Sequence, residues 1–302
     1  MDVGSANPTL NRNHVHPKRI TWPPLPEQRA IAHILGTLDD KIELNRKMNE
    51  TLDEIARTLF TSWFVDFDPV RAKAEGRRPE GMGAETAALF PDRFIDSELG
   101  PIPEGWRVRS LDEVAHFLNG LALQRFPPTE EGMNLPVVKI AQLRKGNTEG
   151  ASQASRNVPR QYVVEDGDVL FSWSGSLEVD LWGGGPGALN QHLFKVTSEI
   201  YPKWFYYLWI HQHLTDFRAI AAGKATTMGH IQRRHLSEAK VVAPPHPLLE
   251  KMDNIMGPWL GLDISSIKES RALAELRDML LPKLLSGEIR ACEAEDLIGR
   301  AV

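Results

Sequence analysis

The chain has a single cysteine, Cys292, in 302 residues, so it can form no intramolecular disulfide and no cysteine-based zinc site, and a reducing cytoplasm suits it. It contains no run of about 18 consecutive apolar residues, and its N-terminus lacks the basic-then-apolar order of a signal peptide. Membrane spanning and secretion are therefore excluded as first readings. It also lacks a basic surplus: 35 Lys and Arg stand against 40 Asp and Glu, a formal charge of -5. That balance argues against a wholly basic nucleic-acid coat protein and leaves room for a local basic face. Apolar residues at 42% and charged residues at 25% are globular values, and the length suits roughly two domains.

Catalytic constellations are scarce too. Gly183-Gly184-Gly185-Pro186-Gly187 has neither the Lys-Ser/Thr of a phosphate loop nor the spacing of a dinucleotide fingerprint, and reads as a turn. His211 and His213, with Asp216, sit two apart on an expected helix and so point to different faces, which disfavours a shared metal. Asp66 and Asp68 resemble a carboxylate pair but have no basic or nucleophilic partner nearby in sequence; helix termination explains them. Ser172-Trp173-Ser174-Gly175-Ser176 lacks the spacing of a nucleophile elbow. No catalytic or metal-ligating residue is assigned.

What the chain does contain is an internal repeat. Pro23-Pro24-Leu25-Pro26 returns as Pro244-Pro245-His246-Pro247, and Ile34-Leu35-Gly36 as Ile255-Met256-Gly257. At the same offset Leu52, Glu54, Ile55 and Leu59 match Leu273, Glu275, Leu276 and Leu280. Each proline cluster suits a helix entry. From Glu27 to about Asp66 a helix is expected, with Ile31, Leu38, Asn45, Leu52 and Leu59 every seventh residue and Leu35, Ile42 and Ala56 beside them. In the second copy the columns are Met252, Trp259, Ser266, Leu273 and Leu280, flanked by Ile255, Leu262 and Leu276. A polar residue at the middle of each seam, Asn45 and Ser266, suggests two helices paired about a pseudo-two-fold axis; ordinary packing of two amphipathic helices is the plainer alternative.

Arg71 to Gly100, rich in Arg, Glu, Gly and Pro, reads as a linker. From Trp106 to Ala243 short apolar runs such as Val137–Ile140, Val169–Phe171 and Leu193–Val196 alternate with turn residues and predict strands, with helices over Leu111–Leu118 and Pro202–Ala222. This domain concentrates candidates for nucleic-acid contact. Lys139, Arg144, Lys145, Arg156 and Arg160 face only Glu149 in their stretch, an excess of +4 suited to phosphates. Lys224, Thr226, Thr227, His230, Gln232, Arg233 and Arg234 combine phosphate ligands with forks that read guanine and adenine edges, and Asn190-Gln191-His192 adds amide forks. Taken singly, each is better explained by a solvated surface; it is their concentration in one domain that supports the nucleic-acid reading.

These residues carry a family resemblance. Pro23–Ala32, Leu38–Leu52 and Trp63–Val70 closely resemble the central conserved region of type I restriction-modification specificity subunits. Pro103-Glu104-Gly105-Trp106, Gly167-Asp168-Val169-Leu170, Leu189-Asn190-Gln191-His192 and Pro282–Ile289 are similar to further motifs of that family. The resemblance implies an α+β protein: a mixed α/β target-recognition domain flanked by two long antiparallel coiled-coil spacer helices. On it, residues 1–22 are the end of a first recognition domain, 23–70 the first spacer helix, 71–100 a linker, 101–243 the recognition domain, 244–290 the second spacer helix and 291–302 a tail. A full subunit carries two recognition domains, so the chain reads as a truncated or half subunit.

The implied function is non-catalytic recognition of half of a bipartite double-stranded DNA site, with docking of methyltransferase subunits in the cytoplasm. No cofactor is expected on the chain. S-adenosylmethionine, ATP and Mg are expected only on partner subunits, S-adenosylmethionine on the methyltransferase and ATP on a separate restriction subunit that cleaves. A homodimer restoring two recognition domains, and a helix of about 40 residues spanning roughly 60 Å as a ruler between half-sites, follow from the same reading. The competing classes are a helical-hairpin protein-binding scaffold and a decoy of methyltransferase subunits that reads no DNA.

Overall fold

A computed structural model describes residues 12–18, 22–130, 134–223 and 229–298. In chain order its elements are α1 (Arg12–Val15), α2 (Leu25–Phe60), a π-helical turn (Thr61–Val65), α3 (Asp68–Ala74), α4 (Ala84–Ala88), β1 (Phe94–Ser97), β2 (Gly100–Pro103), β3 (Arg107–Ser110), α5 (Leu111–Val114) and β4 (His116–Asn119). There follow β5 (Leu135–Val138), α6 (Ile140–Lys145), β6 (Gln153–Ala154), β7 (Val163–Val164), β8 (Val169–Ser172), β9 (Val179–Leu181), β10 (Gly187–Leu189) and β11 (Leu193–Thr197). The chain closes with α7 (Lys203–Ala222), α8 (Arg233–Glu238), β12 (Lys240–Ala243), α9 (His246–Ser286) and α10 (Ala291–Ile298). It divides into two compact units, one of Met1–Leu44 with Ala272–Val302 and one of Asn45–Arg271. Each contains a part of both long helices.

In the first unit the heptad positions meet as their period requires. Ile31, Ile34 and Leu38 of α2 bury against Leu273, Leu280 and Leu284 of α9 and against Ala291 and Ala294 of α10. Asp39 and Arg277 form an ion pair of 2.6 Å beside this seam, and Glu27 Oε1 accepts the amide of Ala291 at 2.9 Å, capping α10.

In the second unit the two helices continue antiparallel. Buried Asn45 donates from Nδ2 to Glu269 Oε2 at 2.6 Å and to Ser270 Oγ at 3.3 Å, and Asn49 donates to the carbonyl of Asp263 at 3.3 Å. Asn45 thus meets residues three and four beyond Ser266 rather than Ser266 itself. Of the expected second column in α9, Ile255 and Leu262 are 41% and 54% exposed, while Met256, Leu260 and Asp263 are buried. The reason is that α9 here packs against a mixed helix-and-sheet domain as well as α2, and two neighbours demand a wider face than a narrow coiled-coil seam.

That domain's core is aromatic. Phe60 meets Trp209 edge-on at 5.3 Å and Phe64 lies 5.5 Å from Trp204, and Met252, Met256 and Leu260 of α9 belong to the same cluster. The π turn swings Trp63 and Phe64 inward, and Phe67 follows in the left-handed region at φ 58°, a strained conformation for a bulky residue. Asp68 opens α3 and its Oδ2 accepts Ser62 Oγ at 2.8 Å, so this carboxylate ties the start of α3 to the π-helical turn.

Four strands form an antiparallel sheet in the order β4-β11-β8-β9, and a mixed sheet runs β6-β5-β10-β7, with β5 and β10 parallel. β3 pairs with β12, and β1 with β2. Several sequence expectations shift. The helix expected over Leu111–Leu118 stops at Val114, because Phe117 and Leu118 alternate as strand residues opposite Val196 and Lys195. β5 ends at Val138, and Ile140 begins α6. Between Arg71 and Gly100, composition suggested a linker, yet the segment carries α4 and β1 and buries Met82, Ala87 and Phe90. A few well-spaced apolar residues anchor it, and a composition average conceals them.

Candidate nucleic-acid interface

The tight turn Asn190–His192, between β10 and β11, anchors the candidate site. At the end of β4, Leu121 bridges Asn190 and accepts the amide of Gln191 at 2.9 Å. A Cβ on Gly120 would lie 2.2 Å from the Asn190 carbonyl, so only glycine permits this approach. On the other side Asn190 N–H donates to Val138 O at 3.1 Å, which places Lys139 next to the Asn190–His192 turn.

Trp173 organises what lies around that turn. Its Nε1 donates to Asn119 Oδ1 at 2.9 Å and to Gln191 O at 3.1 Å, and its ring lies 5.7 Å from His192 and 6.3 Å from His230. Ser174 Oγ lies 3.0 Å from His192 Nδ1, and Ser174 also bridges the backbone of His230. Arg233 lays its guanidinium 5.6 Å over the Phe194 ring and donates to Phe117 O at 3.2 Å. At the start of α8 Gln232 and His235 form a capping box, in which the Gln232 backbone N–H donates to His235 Nδ1 at 3.0 Å, and Gln232 and Arg234 are both exposed. Asn190 is 8% exposed, and its Oδ1 accepts the His192 amide at 3.3 Å: it shapes the turn, while Gln191 and His192 are half-buried.

The basic stretch is partly drawn in. Arg144 donates to Ser176 Oγ and lies 3.6 Å from Glu178, a carboxylate shared with Arg218 at 3.0 Å. Lys145 pairs with Glu149 at 3.9 Å and Arg160 with Glu165 at 3.9 Å, and Arg156 is exposed near β6. The +4 excess is therefore lower in space than in sequence, because Glu165 and Glu178 fold back onto it. Lys224, Thr226 and Thr227 lie outside the described residues. His211 and His213 face different surroundings: Arg57 stands 3.4 Å from His211, and burial pushes that ring's pKa down to about 3, whereas His213 Nε2 donates to Lys240 O at 2.9 Å. Asn119, Trp173, Ser174 and Ser176 were missed as site residues. An aromatic flanked by small hydroxyl residues was the available signal.

The family profile of the type I restriction modification DNA specificity domain matches residues 2–54 and 103–251, well over half the chain. The chain belongs to the type I restriction-modification specificity subunits. It is similar to the MjaIX specificity subunit of Methanocaldococcus jannaschii, 26% identical over 96% of this chain and 65% of the relative, and so spans about two thirds of that protein's length. It is likewise 25% identical to the HindI specificity subunit of Haemophilus influenzae, over 93% of this chain and 71% of that one. A crystal structure of the S subunit from M. genitalium superposes with a TM-score of 0.50 at 17% identity, covering 86% of this chain and 61% of that chain, which shows the fold. The matched segments contain Asn190–His192, His230–Arg234 and α2 up to Glu54, so the candidate interface and most of α2 fall within the specificity-subunit homology. Among the described residues no helix is long and apolar enough to cross a membrane.

Proposed function

We propose that this specificity subunit reads one half of a bipartite double-stranded DNA site through the surface around Trp173, and docks methyltransferase subunits on its long helices without catalysing a reaction itself. In this reading S-adenosylmethionine, ATP and Mg act on partner subunits, the restriction subunit among them, in the cytoplasm. The observation that carries it is the convergence of the Asn190–His192 turn, the Ser174 turn and the His230–Arg234 segment on one indole. The His230–Arg234 segment is far in sequence from the other two, and all three bear hydrogen-bonding side chains. Polar groups that converge on a rigid platform suit base-edge readout, and Lys139, Arg144 and Arg234 at the margin suit phosphates.

The test uses the subunit assembled with its methyltransferase. Lys224→Ala, Arg233→Ala and Arg234→Ala are combined, and binding to the duplex selected from a random library is followed against salt. Each side chain that neutralises a phosphate should, on removal, flatten the salt slope by about one unit, and removal of a bidentate fork to a base should cost about 1 to 3 kcal/mol at one position. Unchanged affinity and salt dependence would reject the assignment. A wild-type assembly that selects no sequence would favour the decoy or scaffold reading instead.

A further inference from the structure

The glycine run that chemistry left unexplained lies against α9. Arg271 grips Asp166 with both arms of its guanidinium, Nη1 to Oδ1 and Nη2 to Oδ2, each at 2.7 Å. The same Nη1 donates to Gly183 O at 2.5 Å. Gly185 N–H donates to Asp166 Oδ1 at 2.8 Å, and the indole of buried Trp182 donates to Gly185 O at 2.6 Å. The glycines let the loop sit on the helix. A Cβ on Gly183 would lie 1.9 Å from Ile267 Cγ2, and one on Gly167 would lie 3.0 Å from Ile264 Cδ1. Ile264, Ile267 and Arg271 are spaced three and four apart and form one stripe of α9.

The turn that offers Asp166 is itself tied into the recognition domain. Asp168 pairs with Lys195 of β11 at 2.7 Å, and Lys203 at the start of α7 donates to Gly167 O at 2.6 Å. The guanidinium beside Asp166 holds its carboxyl below the ordinary range, as expected of a pair that stays charged. Apolar burial attaches the domain to α9 but is non-directional. A bidentate fork and a loop without side chains add direction, because both fail on a small rotation.

We propose that the Arg271–Asp166 fork and the Gly183–Gly185 saddle are positioning elements that set the angle at which the recognition domain is carried on α9, and thereby the spacing between half-sites that the subunit accepts. The spacing clause rests on the DNA-reading function proposed above, with a second copy reading the other half-site; the angle does not.

The experiment uses the full chain with Cys292→Ser, and with spin labels on Glu149→Cys and Lys251→Cys, one on the domain and one on the helix. The wild type should give one narrow distance distribution. Gly183→Ala and Arg271→Ala should broaden or displace it, Arg271→Lys should do so less, and Gly183→Ala with Ile267→Ala should narrow it again, since the second change removes the obstructing methyl. Distributions unchanged by both Gly183→Ala and Arg271→Ala would overturn the proposal. If either variant fails to fold, the paired Gly183→Ala and Ile267→Ala variant and Arg271→Lys still decide.

In the methyltransferase assembly, random duplexes with graded lengths between half-sites give the second readout. Gly183→Ala should raise severalfold the share of selected duplexes with neighbouring spacings, leave the selected bases unaltered, and be reversed by Ile267→Ala. Wild-type spacing in a variant whose distances have broadened would overturn the spacing role. A wild-type assembly that selects no sequence would instead overturn the DNA-reading function, and the distances would still judge the fork.

Discussion

Asp263 illustrates how a single side chain on the helical pair couples to the recognition domain. It is 6% exposed, and burial, reinforced by the charges of Asp53 and Asp180, pushes its pKa up to about 7 from an ordinary 3.8. Burial raises Asp53 as well, against the opposing pull of Arg57, and raises Asp180 to about 6. The group titrates together. A carboxyl that keeps its proton when folded and loses it when unfolded makes the unfolded state the weaker proton binder. Stability from Asp263 therefore falls as pH rises from about 4 to about 7 and is level above that. Asp263→Asn, which removes the charge and keeps the shape, should stabilise the chain by about 1–3 kcal/mol at about pH 8 and have little effect at about pH 4. Urea unfolding at the two pH values measures this; an equal shift at both would contradict it.

At the scale of elements, the seam between α2 and α9 is specified by polar contacts as much as by leucines. Asn45 is 2% exposed and satisfies its amide on Glu269 and Ser270. Asn45→Ala removes both hydrogen bonds, one of them to a charged carboxylate, from a partly buried seam and should lower stability by about 1–3 kcal/mol. Asn45→Leu should recover part of that loss through apolar burial while weakening the choice of register, as polar seam residues in coiled coils do. Chemical denaturation gives the first effect, and cysteine cross-linking across the seam reports the second. A fully wild-type stability for Asn45→Ala would show that the amide contributes nothing.

At the scale of the whole molecule, the described residues carry one mixed helix-and-sheet domain in the unit Asn45–Arg271, proposed above as the DNA-reading domain. Two copies would bring two identical recognition domains about a true two-fold, and the selected DNA site would then be palindromic. Light scattering of the chain with and without its methyltransferase partner, bound to DNA, should report two copies in the assembly. One copy in that complex would exclude the homodimer, and the intramolecular pairing of α2 with α9 would then be the only one the assembly needs.

Much was legible in the residues themselves, for a local reason. Seven-residue periodicity along Ile31, Leu38, Asn45 and Leu52 states which side of a helix is apolar, and the proline clusters state where the helices start, without reference to any partner. The aromatic run of α7 and the turns around β8 and β11 could be placed in the same way. What each face meets is non-local, and only the tertiary structure decided it. Asn45 meets Glu269 and Ser270 rather than its repeat counterpart, and α9 turns Met256 and Asp263 inward in place of Ile255 and Leu262. The candidate interface was visible as Asn190–His192 and His230–Arg234, yet Trp173, which joins them, was not, because its role comes from strand pairing across β8 and β11. Asp166 and Arg271 stand 105 residues apart. Charge and glycine content announce that such residues exist; the close approach of a glycine loop to one helix stripe, which no local pattern encodes, makes them a pair.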